Sequence, residues 1–149
     1  MRRVDALLAD YASHHRTRGN LICHAFGITL ILFGVVEMLL PFRLPGGGPL
    51  SVAEVLIAAA FLFYLALDAP LALAMLLELA VLDAAARSIA DWRMGLAAFV
   101  LGWVFQGIGH ARFERNRPAF FKNLAHLIVG PLFLVNEILH RKRIESLSH

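Results

Sequence analysis

The chain has 149 residues, 59% of them hydrophobic and 17% charged, with a formal net charge of +3. A mean hydropathy of +0.68 is too high for a soluble domain of this length, whose small interior cannot hide so much apolar surface. The single cysteine, Cys23, excludes an intramolecular disulfide or a cysteine-rich zinc site, and no nucleic-acid motif accompanies the basic residues. The length suits one domain, so a single integral-membrane domain over residues 1–149 is the expectation, with a soluble helical bundle and an obligate partner as the competitor.

The N-terminus, MRRVDALLADYASHHRTRGN, is not a secretory signal, because acidic and polar residues interrupt it before any apolar core. Residues 4–18 read as a short amphipathic helix with Val4, Leu7, Leu8 and Tyr11 on one face. It should lie in the membrane interface, with Tyr11 as a wet-ended anchor and Gly19-Asn20 breaking or capping it. Residues 21–40 are nearly all apolar and long enough to span a bilayer, with His24 in the first turns and Glu37 near the far end. Pro41, Pro45, Gly46, Gly47, Gly48 and Pro49 mark a loop. Ser51 looks like the N-cap of a second apolar helix, 52–67, and Asp68-Ala69-Pro70 allows a tight reversal. Residues 71–82 are apolar apart from Glu78, after which 83–93 turn polar. Residues 94–108 form a fourth apolar helix ending near Gln106 and His110, and 120–139 a fifth segment interrupted by Gly130-Pro131.

Charge placement sets the expected topology. Basic residues flank the N-terminus, the loop 111–122 and the tail 140–143, and five full spans would put the loop and the tail on opposite sides. The preference for basic flanks on the cytoplasmic face favours four spans plus a fifth segment that is broken or re-entrant at Gly130-Pro131. The predicted fold is thus an all-α polytopic membrane bundle: an N-terminal interfacial helix, about four spanning helices and the re-entrant segment.

This topology brings His15, His24, His110 and His126 to one membrane face. Asn20 and His24 are four apart and share a helix side, as do Gln106 and His110, while Glu114 and Glu137 are the carboxylates nearest in sequence. Neutral imidazoles with a carboxylate suit iron, zinc or copper. No H-E-x-x-H, C-x-x-C, catalytic triad, phosphate loop or dinucleotide fingerprint is present. The plainer reading of each residue is structural: His14 as an interfacial residue, His126 bonded to a backbone carbonyl, Glu37, Glu78 and Asp83 as caps or ion pairs. Arg112, Arg115 and Arg117 suit lipid headgroups about as well as a substrate carboxylate.

The run GWVFQGIGHARFERNRPAFFKNL followed by GPLFLVNEIL resembles the signature of the membrane 2-hydroxy fatty acid dioxygenase family. The resemblance rests on Trp103, Gln106, Gly109, His110, Phe113, Glu114, Pro118, Ala119, Asn123, Leu124, Pro131, Phe133 and Glu137. At the N-terminus it rests on Tyr11, His15, Asn20 and His24. It implies an iron(II)-dependent enzyme that uses molecular oxygen to shorten a 2-hydroxy fatty acid by one carbon. It also implies His15, His24 and His110 as ligands with His126 as a fourth candidate, and Glu114 beside them in catalysis. Asn20, Gln106, Arg112, Asn123 and Glu137 are implied in supporting the ligands or meeting the substrate. The expected site is a bacterial inner membrane, or the endoplasmic reticulum in a eukaryote, with the active face cytoplasmic. The partners are membrane lipid, the 2-hydroxy fatty acid and oxygen, with homo-oligomerisation allowed and nucleic acid excluded. Two other readings stay open: a different metal-dependent, hydroxylase-like lipid enzyme, and a non-enzymatic membrane protein with structural histidines.

Overall fold

The computed structural model describes residues 3–46, 48–114 and 125–139, and among these it is all-α. The helices are α1 (Arg3–Ser13), α2 (Arg18–Leu39), α3 (Val52–Leu67), α4 (Ala69–Ile89), α5 (Trp92–Ile108) and α6 (Ala125–Leu139). A π-helical segment, Gly109–Glu114, continues α5. Among the described residues, three stretches are long and apolar enough to cross a membrane: Arg18–Leu39, Ala69–Ile89 and Trp92–Glu114. Helix α3, the other expected span, has 16 residues, short of the roughly 20 that a bilayer core requires of an upright helix. Large side chains such as Leu62, Leu73, Leu77, Val81 and Ile138 are exposed on these helices, the pattern of lipid-facing surface.

Local chemistry sets most boundaries. Ser51 caps α3 in a capping box closed by Glu54, and Asp68 ends α3 and caps α4, its Oδ1 accepting from Leu71 N at 3.2 Å. The polar stretch after Leu82 does not end α4, which continues to Ile89 with Arg87 paired to Asp83 and Glu54. Helix α1 stops at Ser13 rather than reaching residue 18, and Gly19-Asn20 are already inside α2. Thr17 is the N-cap of α2, its hydroxyl accepting from Asn20 N at 3.4 Å. Helix α6 runs on through Pro131, so the Gly130-Pro131 interruption lies within one helix of 15 residues.

Helices α2 and α5 pack face to face through two glycine pairs, Gly27 with Gly102 and Gly34 with Gly95. A Cβ at Gly102 would come within 2.6 Å of the Gly27 carbonyl oxygen, so the two backbones touch where small residues allow it. The contact fixes the register between His24 and His110. At the opposite end, Glu37 is buried and its Oε1 accepts from Asp91 N at 2.6 Å, a structural capping role. A second cluster joins α1 to α6 through Val4, Leu8 and Tyr11 against Val129, Leu132 and Phe133.

Candidate metal centre

Three buried imidazoles meet where the α1–α2 junction faces the end of α5: His15, His24 and His110, with one ring nitrogen from each lying within 4.8 Å of the others. His15 Nδ1 lies 2.7 Å from the Tyr11 carbonyl oxygen, and His24 Nδ1 lies 2.9 Å from that of Asn20. A carbonyl only accepts, so each Nδ1 carries the proton and each Nε2 is left as a lone pair. Those two Nε2 atoms stand 3.1 Å apart. Two lone pairs at that distance repel, and a cation is what they can share. His110 adds a third ring, 4.8–5.0 Å from the other two by centroid, with a buried Nδ1 that has no partner among the described residues. The donor set therefore fits a metal that takes neutral imidazoles.

Burial keeps His15 neutral. The His15 ring is pushed down to about 3, first by burial and then by the neighbouring His24. Tyr11 lies flat on His15, ring centroids 3.9 Å apart and planes 5° from parallel, which locks the imidazole plane. Tyr11 is thus buried against the centre rather than anchored in water, and burial raises its phenol.

Glu114 ties the two halves of the centre together. Its Oε1 accepts from Arg16 N (2.7 Å), Thr17 N (2.8 Å), Thr17 Oγ1 (3.1 Å) and Asn20 Nδ2 (3.1 Å). The α1–α2 junction is thereby held by a residue one turn beyond His110. Gly109 makes the approach possible, since a Cβ there would run into Asn20 Oδ1. The π-helical turn carries both His110 and Glu114, an irregularity frequent at functional sites.

Beside the imidazoles lies a cavity of about 190 Å³, lined by Tyr11, His15, His24, Ile28, Ile31, Leu32, Trp103, Gln106, His110, His126, Leu127, Gly130 and Pro131. It is polar at the histidine end and apolar along α2, α5 and α6. His24 to Leu32 is eight residues, so the lining extends about 12 Å along α2 at 1.5 Å per residue.

With three clustered imidazoles beside a cavity at one end of an α-helical membrane bundle, comparison with known proteins decides the family: residues 1–142 match 2-hydroxy-palmitic acid dioxygenase Mpo1-like. The chain belongs to this family. The Mpo1-like chain is similar to 2-hydroxy-palmitic acid dioxygenase MPO1 of Saccharomyces cerevisiae, 32% identical over 140 residues, which are 90% of this chain and 78% of the yeast protein. No solved structure matches it.

Within the Mpo1-like chain, the structure brings together His15, His24 and His110, with Gln106 buried in the same cavity wall. Asn20 and Glu114 stand just behind them. His126 lines the cavity but is outside the three-imidazole group; its Nε2 lies 2.7 Å from Asp10 Oδ2. Arg112 is exposed on the π-helical turn. Glu137 is eleven residues beyond His126 on α6, about 16 Å away along the axis, and is not brought to the imidazoles. Asn123, Arg115 and Arg117 lie outside the described residues. His14 is half-buried and bonded to Ser13 Oγ and the Asp10 carbonyl. Asp10 and Thr17 are site neighbours that the sequence reading did not single out. The Tyr11–His15 spacing of four was a visible signal for a shared face, whereas nothing local marks Asp10 as the partner of a residue 116 positions away.

Proposed function

We propose that this chain is an iron(II)-dependent dioxygenase that converts 2-hydroxy fatty acids into fatty acids one carbon shorter. The observation that carries the reading is the pair of unprotonated Nε2 atoms of His15 and His24 facing each other next to His110, at the head of an apolar cavity. Membership of the Mpo1-like family and the similarity to the yeast dioxygenase support the reaction and its substrate class. His15, His24 and His110 would hold the ion through neutral nitrogens, and iron(II) would supply the redox chemistry with molecular oxygen that protein side chains lack.

The protein's own residues do the rest. The Tyr11 and Asn20 carbonyls fix two imidazole tautomers, so that Nε2 rather than Nδ1 is free to ligate. The Tyr11 ring and the Glu114 clamp hold those imidazoles in place before any ligand arrives. Ile28, Ile31, Leu32 and Trp103 offer an apolar channel for the alkyl chain and keep water from the reacting end. Arg112, exposed on the same turn as His110, attracts the fatty acid carboxylate at the interface. The protein works as one integral-membrane unit with this end at the cytoplasmic surface.

The test is product analysis. Detergent-purified protein supplied with iron(II), oxygen and 2-hydroxyhexadecanoate should yield pentadecanoate. An even-chain product with an added hydroxyl would instead indicate a hydroxylase, and unconsumed substrate in iron-loaded protein would remove the enzymatic reading.

A further inference from the structure

His126 has a geometry that a metal ligand does not need. Its Nε2 is held 2.7 Å from Asp10 Oδ2, a carboxylate at the half-exposed end of α1. A carboxylate accepts, so Nε2 carries the proton. In the neutral ring Nδ1, on the other side, is then a lone pair. That nitrogen is buried and has no partner among the described residues, while the imidazole lines the same cavity as His15, His24 and His110. Tyr11 packs edge-on against the ring at 5.5 Å and His14 does the same from outside, so the ring cannot easily turn over. An unpaired buried acceptor is costly unless a ligand satisfies it.

The cavity thus presents two kinds of nitrogen: three converging on a cation position and one standing apart as an acceptor fixed by Asp10. We propose that His126 accepts a hydrogen bond from the 2-hydroxyl group of the bound acid, and that Asp10 positions it to do so. His126 is then the residue that distinguishes a 2-hydroxy acid from the unsubstituted fatty acid, which has no donor at that carbon and would leave Nδ1 buried and unpaired. This rests on the substrate class proposed above and replaces the expectation of His126 as a fourth metal ligand.

The experiment is equilibrium binding under anaerobic conditions, where iron(II)-loaded protein in detergent cannot turn over. Affinities for 2-hydroxyhexadecanoate and hexadecanoate are compared in wild type, His126→Leu, His126→Gln and Asp10→Ala, with iron per chain measured in each. The wild type should favour the hydroxy acid. His126→Leu should reduce that preference about 10-fold or more, as expected for one buried hydrogen bond, leaving hexadecanoate binding and iron content unchanged. His126→Gln, which keeps an acceptor, should retain most of the preference. Asp10→Ala should lose part of it, and this half-exposed position keeps the test valid if His126→Leu does not fold. A preference unchanged in both His126→Leu and Asp10→Ala would overturn the proposal, as would loss of iron from both His126 variants. A wild type with no preference for the hydroxy acid would instead fail at the level of the substrate reading, before His126 is in question.

Discussion

His15 Nε2 stands 3.1 Å from His24 Nε2, and neither has a proton to donate to the other, because both rings spend theirs on backbone carbonyls one turn back. Two lone pairs at this distance repel, so a bound cation should stabilise the pair. Adding iron(II) to the apoprotein should raise its unfolding temperature, with about 2.7 kcal/mol of stabilisation at a free metal concentration near 100 Kd. Thermal unfolding in detergent with and without chelator measures it. The response should vanish in a variant lacking His110.

Acid should unfold or empty the site in a defined direction. His15 takes a proton near 6.5 when unfolded but only at about 3 when folded, because burial disfavours the charged ring. Between these values the unfolded chain binds more protons, so the contribution of His15 is complete above 6.5 and is lost as pH falls. The slope expected of this one group is about 1.4 kcal/mol per pH unit. Stability of the apoprotein as a function of pH, compared with His15→Phe, isolates it: the variant should show the shallower acid decline.

The glycine contact between α2 and α5 should matter to the metal as well as to folding. Gly102→Ala places a methyl group against the Gly27 carbonyl and should cost about 1–3 kcal/mol. It should also weaken metal binding by separating His24 from His110. Gly107→Ala is the control, because a Cβ there meets nothing within 4 Å. Replacing a helical glycine by alanine should stabilise by roughly 0.5–1 kcal/mol. Chemical unfolding and metal titration of the two variants separate packing from helix propensity.

Glu114 should act at a distance from the chemistry. Glu114→Ala leaves the N–H groups of Arg16 and Thr17 without their acceptor, at a cost of about 0.5–1.5 kcal/mol because neither donor is fully buried. Metal affinity should fall about 10–100-fold, the usual effect of losing a group that orients ligands. Glu114→Gln keeps a carbonyl acceptor and should fall between the alanine variant and wild type. Metal titration of the three proteins orders them.

Much of this arrangement is legible in the sequence where local chemistry decides it. The Ser51 cap and the Asp68-Ala69-Pro70 reversal mark both bounds of α3, because a side-chain acceptor next to an apolar run is a local signal. Alternating spans and basic flanks suffice to bring His15, His24 and His110 to one face. What escapes is long-range. Helix α1 stops at Ser13 in a structure where Glu114, nearly a hundred residues on, takes the N–H groups of Arg16 and Thr17. The pairing of His126 with Asp10 across the α1–α6 contact has no local sequence signal. Tyr11 reads as an amphipathic anchor, but α1 is covered by α6 on that side and the ring is buried on His15.

We propose that His15, His24 and His110 together hold one iron ion. Iron content per chain, measured after anaerobic loading and desalting, tests it directly in wild type and in the three single alanine variants. Wild type should carry close to one iron and each variant close to none, with helical content preserved. Iron retained in the variants, or a folded wild type that takes up none, would contradict it.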